Sequence, residues 1–573
     1  MARMVNNTIN GPLVLSLSDP LASGGSDDPL TITSKGTIDS TGDGIDGSAS
    51  VPWMITNRGT VSAQGNGIVL EGDGGLANSG VIVSQASGGS GDAVLISGYG
   101  TFVNSGTIEE LSNYGGGAVL TMGSGSVVNS GEMGSILGVG ISLGTGTVRN
   151  TGDISGGISL GSGVITNAGT VTRNFLGTGG GISLGYGSLS NSGVIESASV
   201  GVTLGNGSSF VNSAAGSVAG RSSSLHGGND VTVVNQGQLL GGEFGGPQLG
   251  DNSSIANSGT ILGAVEMGVA GTATNSGFIQ GDGLGVSLTS GRLTNQGTIL
   301  GGVVIANGGT VINTGSISYE IEIKAGSGTV TNDGILFDPK FDASMDNSPS
   351  YSVEFDAGTT NNLLAIGPGA TFAGDAEASN GSNSTIELTK GVAAIGGIGT
   401  GQFDGFDNLS VDSKADWTLN GHDTIATLLD NGTVAVAGSL DVSTALDPAS
   451  AGLFDLLGGS TLEVAAALGS RSQMSFAAPS ELVVDNAALF GTHVGTSGYA
   501  GPLLEGFVSG ATIDLHDFSL SGLSANYSSA RGLLQLADGA SQIATLHFQN
   551  SSLGSGTFHF NSDGAGGLLI THS

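Results

Sequence analysis

One phrase dominates this sequence: apolar residues, Asn, any residue, Gly, and then an apolar residue again. It reads ITNRGTV at 55–61, VVNSGEM at 127–133, ITNAGTV at 165–171 and VTNDGIL at 330–336. The asparagines of the series are Asn57, Asn78, Asn104, Asn129, Asn150, Asn167, Asn191, Asn212, Asn235, Asn257, Asn275, Asn295, Asn313 and Asn332. They make 13 steps over 332 − 57 = 275 residues, a mean of about 21, and a recurring period of that length marks a solenoid.

Between the asparagines run short alternating stretches closed by glycine, such as GVGISLGTG (138–146) and GGGISLGYG (179–187). Apolar residues two apart share one face of a strand, whereas a helical repeat needs them at 3.6 spacing. The expected fold is therefore all-β: a parallel β-helix, right-handed by default, of about 15 coils, followed by a less regular β-rich region. Its inward column should contain Ile141, Leu143, Ile154, Ile158, Leu160, Val171, Ile182 and Leu184. The asparagines should form a ladder along one edge, each amide donating to the next. In Asn-x-Gly the glycine is expected to take positive φ and the asparagine to tolerate left-handed geometry. SKGTI at 34–38 reads as a first coil with Ser34 in the asparagine place.

The pattern sets five regions. Residues 1–30 form a cap or assembly segment, 31–336 the regular solenoid and 337–358 an acidic and aromatic transition; 359–500 form an irregular β-repeat region and 501–573 a C-terminal β segment. The apolar run around Leu13, Val14, Leu15 and Leu17 is read as a cap on the first coil or a strand donated to a neighbour.

Thirteen Lys and Arg stand against 47 Asp and Glu, a formal charge of −34. Such a surface repels phosphates, so nucleic acid is not an expected partner, while multivalent cations are favoured. The chain has no cysteine, which excludes disulfides and thiolate metal sites. No apolar run is long enough for a transmembrane helix, and the N-terminus does not read as a cleaved secretory leader.

The Asn-x-Gly units, with FDGFDNLSVDS (403–413) and NGTVAVAGSLDV (431–442), resemble the β-strand repeats of bacterial surface proteins, the autotransporter passengers and filamentous haemagglutinin-like adhesins. The resemblance spans roughly residues 31–445. It implies a β-solenoid at the cell surface or secreted from it. The end of the chain, from GFVSGATIDLHDFSLSG (506–522) to GLLITHS, resembles instead the C-termini of type I secreted proteins. That resemblance implies an uncleaved C-terminal export signal.

Enzymes on β-helices need acids clustered with a base. Here Lys35, Arg58, Arg149, Arg173, Arg221, Arg292 and Lys324 are scattered through the ladder. None recurs beside an acid pair at coil spacing, so the chain reads as a non-enzyme without catalytic residues. The histidines His422, His493, His516, His547, His559 and His572 fit no metal motif and read as turn or surface residues. Asp-Gly fragments at GDGIDG (42–47) and NSDGAGG (561–567) read first as acidic turns. The sharper reading is a calcium site, drawn from Asp338, Asp342, Asp346, Glu354 and Asp356 or from Asp404, Asp407 and Asp412, since Ca²⁺ takes six to eight oxygens.

A repeated shape without concentrated chemistry suits length, stiffness and self-association. The expectation is an extracellular structural protein whose main partner is itself, a homopolymer forming a surface fibre, layer or matrix. A monomeric adhesin for cell-surface or matrix polysaccharide and a polysaccharide lyase or hydrolase are the alternatives.

Overall fold

The computed structural model describes residues 3–16, 26–86, 91–112, 117–173, 180–242, 245–337, 351–399, 401–539, 542–553 and 555–573. Strand makes up 58 % of the chain and helix 1 %, so stacked strands must supply the core. The chain divides into two compact units, Met1–Leu293 with Gly297–Gly301 and Thr294–Gln296 with Gly302–Ser573. Both are stacks of parallel coils. Counted over the chain they number about 19, the motif having marked about 15 of them in 31–336.

In the first unit a coil is three short strands. Ser209–Asn212, Ser217–Gly220 and Ser223–Gly227 pair in parallel with Thr232–Asn235, Gln238–Gly241 and Gln248–Leu249 of the next coil. Strand alternation turns one residue of each pair inward, and stacking makes continuous aliphatic columns. All eight residues expected there are inside, none more than 2 % exposed.

The asparagines align as expected. Asn129, Asn150, Asn167 and Asn191 are register partners on successive coils. Each Nδ2 donates to the Oδ1 of the next asparagine at 2.7–2.9 Å, from Asn57 to Asn275 in the first unit and from Asn295 to Asn332 in the second. The same nitrogens also donate to backbone carbonyls, as Asn150 does to Gly152 and Thr170. Every one of these side chains is buried, so the ladder is an interior hydrogen-bond column and not a surface strip.

Two details of the turn differ from expectation. No ladder asparagine has positive φ, and neither has the glycine two residues on. That glycine is required by close approach: a Cβ on Gly152 or Gly169 would stand 2.1 Å from the carbonyl oxygen of the equivalent glycine one coil before. The positive-φ corner lies four residues before the asparagine, at Gly125, Gly146, Gly163 and Gly187, with φ of 134–144°. L-residues are excluded from that region, which is why glycine opens these strand segments.

The beginning of the chain also differs. Ile32, not Ser34, is the register partner of Asn57, because the turn here is two residues longer. Arg3–Val5, Thr8–Asn10 and Leu13–Val14 pair in parallel with Leu30–Ile32, Thr37–Ser40 and Ile45–Gly47. Residues 3–14 are thus a full coil rather than a separate cap, with Leu13 and Leu15 buried and Val14 exposed; Leu17 lies outside the described residues.

In the second unit the coils continue past residue 336, where the motif ends. Tyr351–Phe355 stacks on Ile321–Ile323, and the asparagine column runs on as Ile366, Leu388, Val411 and Asp430. Parallel pairing persists to Thr512–Leu515 on one face, and on another Leu503–Glu505 still pairs in parallel with Ile543–Phe548. There the chain turns back: Leu568–His572 pairs antiparallel with Thr512–Leu515, and Ser524–Ser528, Leu533–Ala537 and Ile543–Phe548 form an antiparallel meander. Phe476, Phe507, Phe548 and Phe558 pack in sequence beneath it, centroids 5.1–5.4 Å apart. Among the described residues no helix is long and apolar enough to cross a membrane.

Candidate functional site

Outward-facing residues of the second unit bring acids into line. Ile321–Ile323, Tyr351–Phe355, Asp375–Ala378 and Phe403–Asp404 stack so that Glu322, Glu354, Glu377 and Asp404 share one register. Their strand neighbours Ile321, Ile323, Val353, Phe355, Ala376, Ala378 and Phe403 are buried, which fixes the acids on the outer face. Coils repeat at about 4.8 Å, so like charges are held side by side.

At one end of this row the carboxylates of Glu322, Glu354 and Asp356 lie within 4.8 Å of one another. Lys324 Nζ pairs with Glu322 Oε1 at 2.9 Å. Burial, then Asp356, Glu320, Glu322 and Glu377, pushes the Glu354 carboxyl up to about 7. Asp356 is raised by burial and by Glu322, against the lowering effect of Lys324, and Asp375 by burial, Glu377 and Asp404. Tyr351, hydrogen-bonded to Glu377, is pushed up to about 12. Such a row offers hard oxygen ligands to a divalent cation, which relieves the repulsion.

The sequence-predicted calcium residues separate under this geometry. Glu354 and Asp356 come together, with Glu322 as the member the sequence did not offer; Asp338, Asp342 and Asp346 lie outside the described residues. Asp404, Asp407 and Asp412 do not form a joint site. Asp404 faces outward beside Glu377, Asp407 Oδ2 accepts the Asn383 N–H at 2.7 Å, and Asp412 hydrogen-bonds Glu387. The signal that finds Glu322 and Glu377 is coil register, since neighbours in a solenoid are one coil away.

The acidic turns are structural. Asp43 Oδ1 accepts the Asn66 N–H, Asn66 Oδ1 that of Asp92, and Asp92 Oδ1 that of Ala118, all at 2.7 Å, forming a second ladder at another corner. Asp563 Oδ1 gathers the N–H groups of Ala565, Gly566 and Gly567. Compared with known proteins, the chain matches no family model and no curated sequence.

The crowded acids predict a pH dependence. Burial and the neighbouring acids push the Glu354 carboxyl from its ordinary 4.5 up to about 7, so the folded state holds the extra proton between these values. Stability is then highest below about 4.5 and is lost as pH rises through 7. Thermal melts across that range should show the second unit weakening with rising pH. Glu354→Gln should flatten the slope, and an unchanged slope in that variant would assign the effect elsewhere.

Proposed function

We propose that this chain is a structural β-solenoid of the extracellular surface or matrix, exported through its C-terminal segment and associating with its own kind. The observation that carries the reading is the asparagine column, whose amides are committed to joining coil to coil inside the body. A stiff body with an acidic exterior is the consequence, and its resemblance to passenger-type surface repeats supports the same role. The acidic row would take a divalent cation such as Ca²⁺, which would let copies at −34 approach.

Self-association is assigned to the first coil. The N–H groups of Leu13 and Leu15 bond to Gly44 and Asp46, and Val5 C=O accepts from Thr33. Backbone polar groups alternate sides along a strand, so those of Met4 and Val14 face the opposite edge, where no described strand pairs. Their side chains are 60 % and 66 % exposed. An unpaired parallel edge is a template for a second chain. Sedimentation and electron microscopy of the full chain with Ca²⁺ should show assemblies. Met4→Pro with Val14→Pro removes only outward N–H donors and should abolish them. Single particles from the unmodified chain at high concentration would refute this reading.

One observation favours the adhesin as a second reading. A cavity of about 570 Å³ in the first unit is lined by Arg173, Arg221 and Glu196. Arg173 Nη1 donates to Gly156 O, while its buried Nε has no hydrogen-bond partner. A guanidinium so placed fits a carboxylate, as on an acidic sugar.

A further inference from the structure

A second cluster lies far along the chain from the acidic row and contains an imidazole. Ser439–Leu446, Thr461–Val464, Glu481–Val484 and Thr512–Leu515 stack in register, aligning Asp441, Glu463, Val483 and Asp514 on the outer face. Two residues further along, the pairing carries Asp485 and His516 onto the same face, with His516 N–H bonded to Val484 O. Ligand atoms of Glu463, Asp485 and His516, from three successive coils, all lie within 4.8 Å of one another.

His516 sits between two carboxylates. Its Nδ1 is 3.0 Å from Asp485 Oδ1, and its Nε2 is 3.8 Å from Asp514 Oδ2. Asp514 is only 9 % exposed, and its Oδ1 has no hydrogen-bond partner. A buried carboxylate left this way is costly, so the arrangement calls for a donor or a cation. One imidazole stands against four carboxylates, Asp441, Glu463, Asp485 and Asp514. Even a fully protonated His516 leaves the group strongly negative.

We propose that Glu463, Asp485 and His516 bind a divalent first-row transition ion of the Zn²⁺ class, with Asp514 as the positioning residue for the imidazole. Two ligands of a tetrahedral zinc at about 2.0–2.1 Å stand about 3.3 Å apart, close to the 3.0 Å between His516 Nδ1 and Asp485 Oδ1. Metal on Nδ1 leaves the ring proton on Nε2, 3.8 Å from Asp514 Oδ2, a gap that a small turn of the ring would close to a hydrogen bond. That is the carboxylate–histidine–metal arrangement that orients ligating histidines. Mixed imidazole and carboxylate ligands suit zinc-like ions, whereas Ca²⁺ needs six to eight oxygens. The ion would pin together three coils next to the antiparallel end.

The test uses the full chain titrated with ZnCl₂ at neutral pH by calorimetry, with Co²⁺ as an optical probe. The unmodified chain should take up Zn²⁺ at a site that His516→Gln weakens at least about tenfold. The visible Co²⁺ band should vanish in the same variant. Glu463→Gln, on a partly exposed strand position, should weaken binding too, with circular dichroism confirming that both variants fold. At a hundredfold excess of Zn²⁺ over Kd the apparent unfolding constant should fall about a hundredfold. Zinc affinity unchanged in His516→Gln, or no uptake by the unmodified chain, would overturn the proposal and leave His516 as an ion-pair bridge between Asp485 and Asp514.

Discussion

Replacing Asn150 by leucine is expected to cost about 3 to 5 kcal/mol, although leucine is more apolar and the site is fully buried. The side chain cannot be exchanged alone because it is one link in a chain. Its Nδ2 donates to Asn167 Oδ1 at 2.8 Å, to Gly152 O at 3.0 Å and to Thr170 O at 3.2 Å; its Oδ1 accepts from Asn129 at 2.8 Å. Leucine removes all four bonds and strands buried polar atoms on two neighbouring coils. The molecule contains its own comparison. Asn332 ends the column, with Asn313 on one side and Ile366 on the other. Asn332→Leu therefore strands one neighbouring amide instead of two and continues the apolar column that follows. Guanidinium unfolding, with hydrogen exchange to locate the damage, should rank Asn150→Leu as clearly the worse. Equal losses at the two positions would mean that the ladder contributes only packing.

That comparison also explains how far the fold could be read. The coil needs only an inward residue at each corner, and a long series of corners happens to use asparagine, a letter visible in the sequence. After Asn332 the same places hold Ile366, Leu388, Val411 and Asp430, and the repeat disappears from the letters while the backbone register continues. The coils beyond Asn332 were legible only as a less regular β-rich region for this reason. The aliphatic column was legible because alternation survives any change of apolar residue. The acidic sites were harder. Asp404, Asp407 and Asp412 are close in sequence and were grouped, but a solenoid sends residues a few places apart to different corners. Glu463 and Asp485, or Asp485 and His516, come together only once the coil register is known, since 31 residues separate the last pair.

The last corner of that column gives the second large effect, and its sign is opposite. Asp430 occupies the asparagine place and is fully buried, with Oδ1 accepting the Gly432 N–H at 2.9 Å and Oδ2 without a partner. Burial pushes its carboxyl up to about 7, against the lowering effect of that one backbone bond. Displacement from 3.8 to about 7 corresponds to about 4 kcal/mol at most, by which the ionised group destabilises the fold. Because the folded value is raised, stability is complete below about 4 and is lost as pH rises through 7. Asp430→Asn keeps the shape and removes the charge. It also recreates Asn-x-Gly with Asn431 and Gly432, where the new Nδ2 can reach the Gly432 carbonyl as Asn332 reaches that of Gly334 at 3.3 Å. The variant should therefore gain about 2 to 4 kcal/mol above about pH 8, with the two melting curves converging near pH 4. Curves that stay parallel across this range, or a variant less stable at every pH, would show that Asp430 is held ionised by contacts better than the single backbone donor.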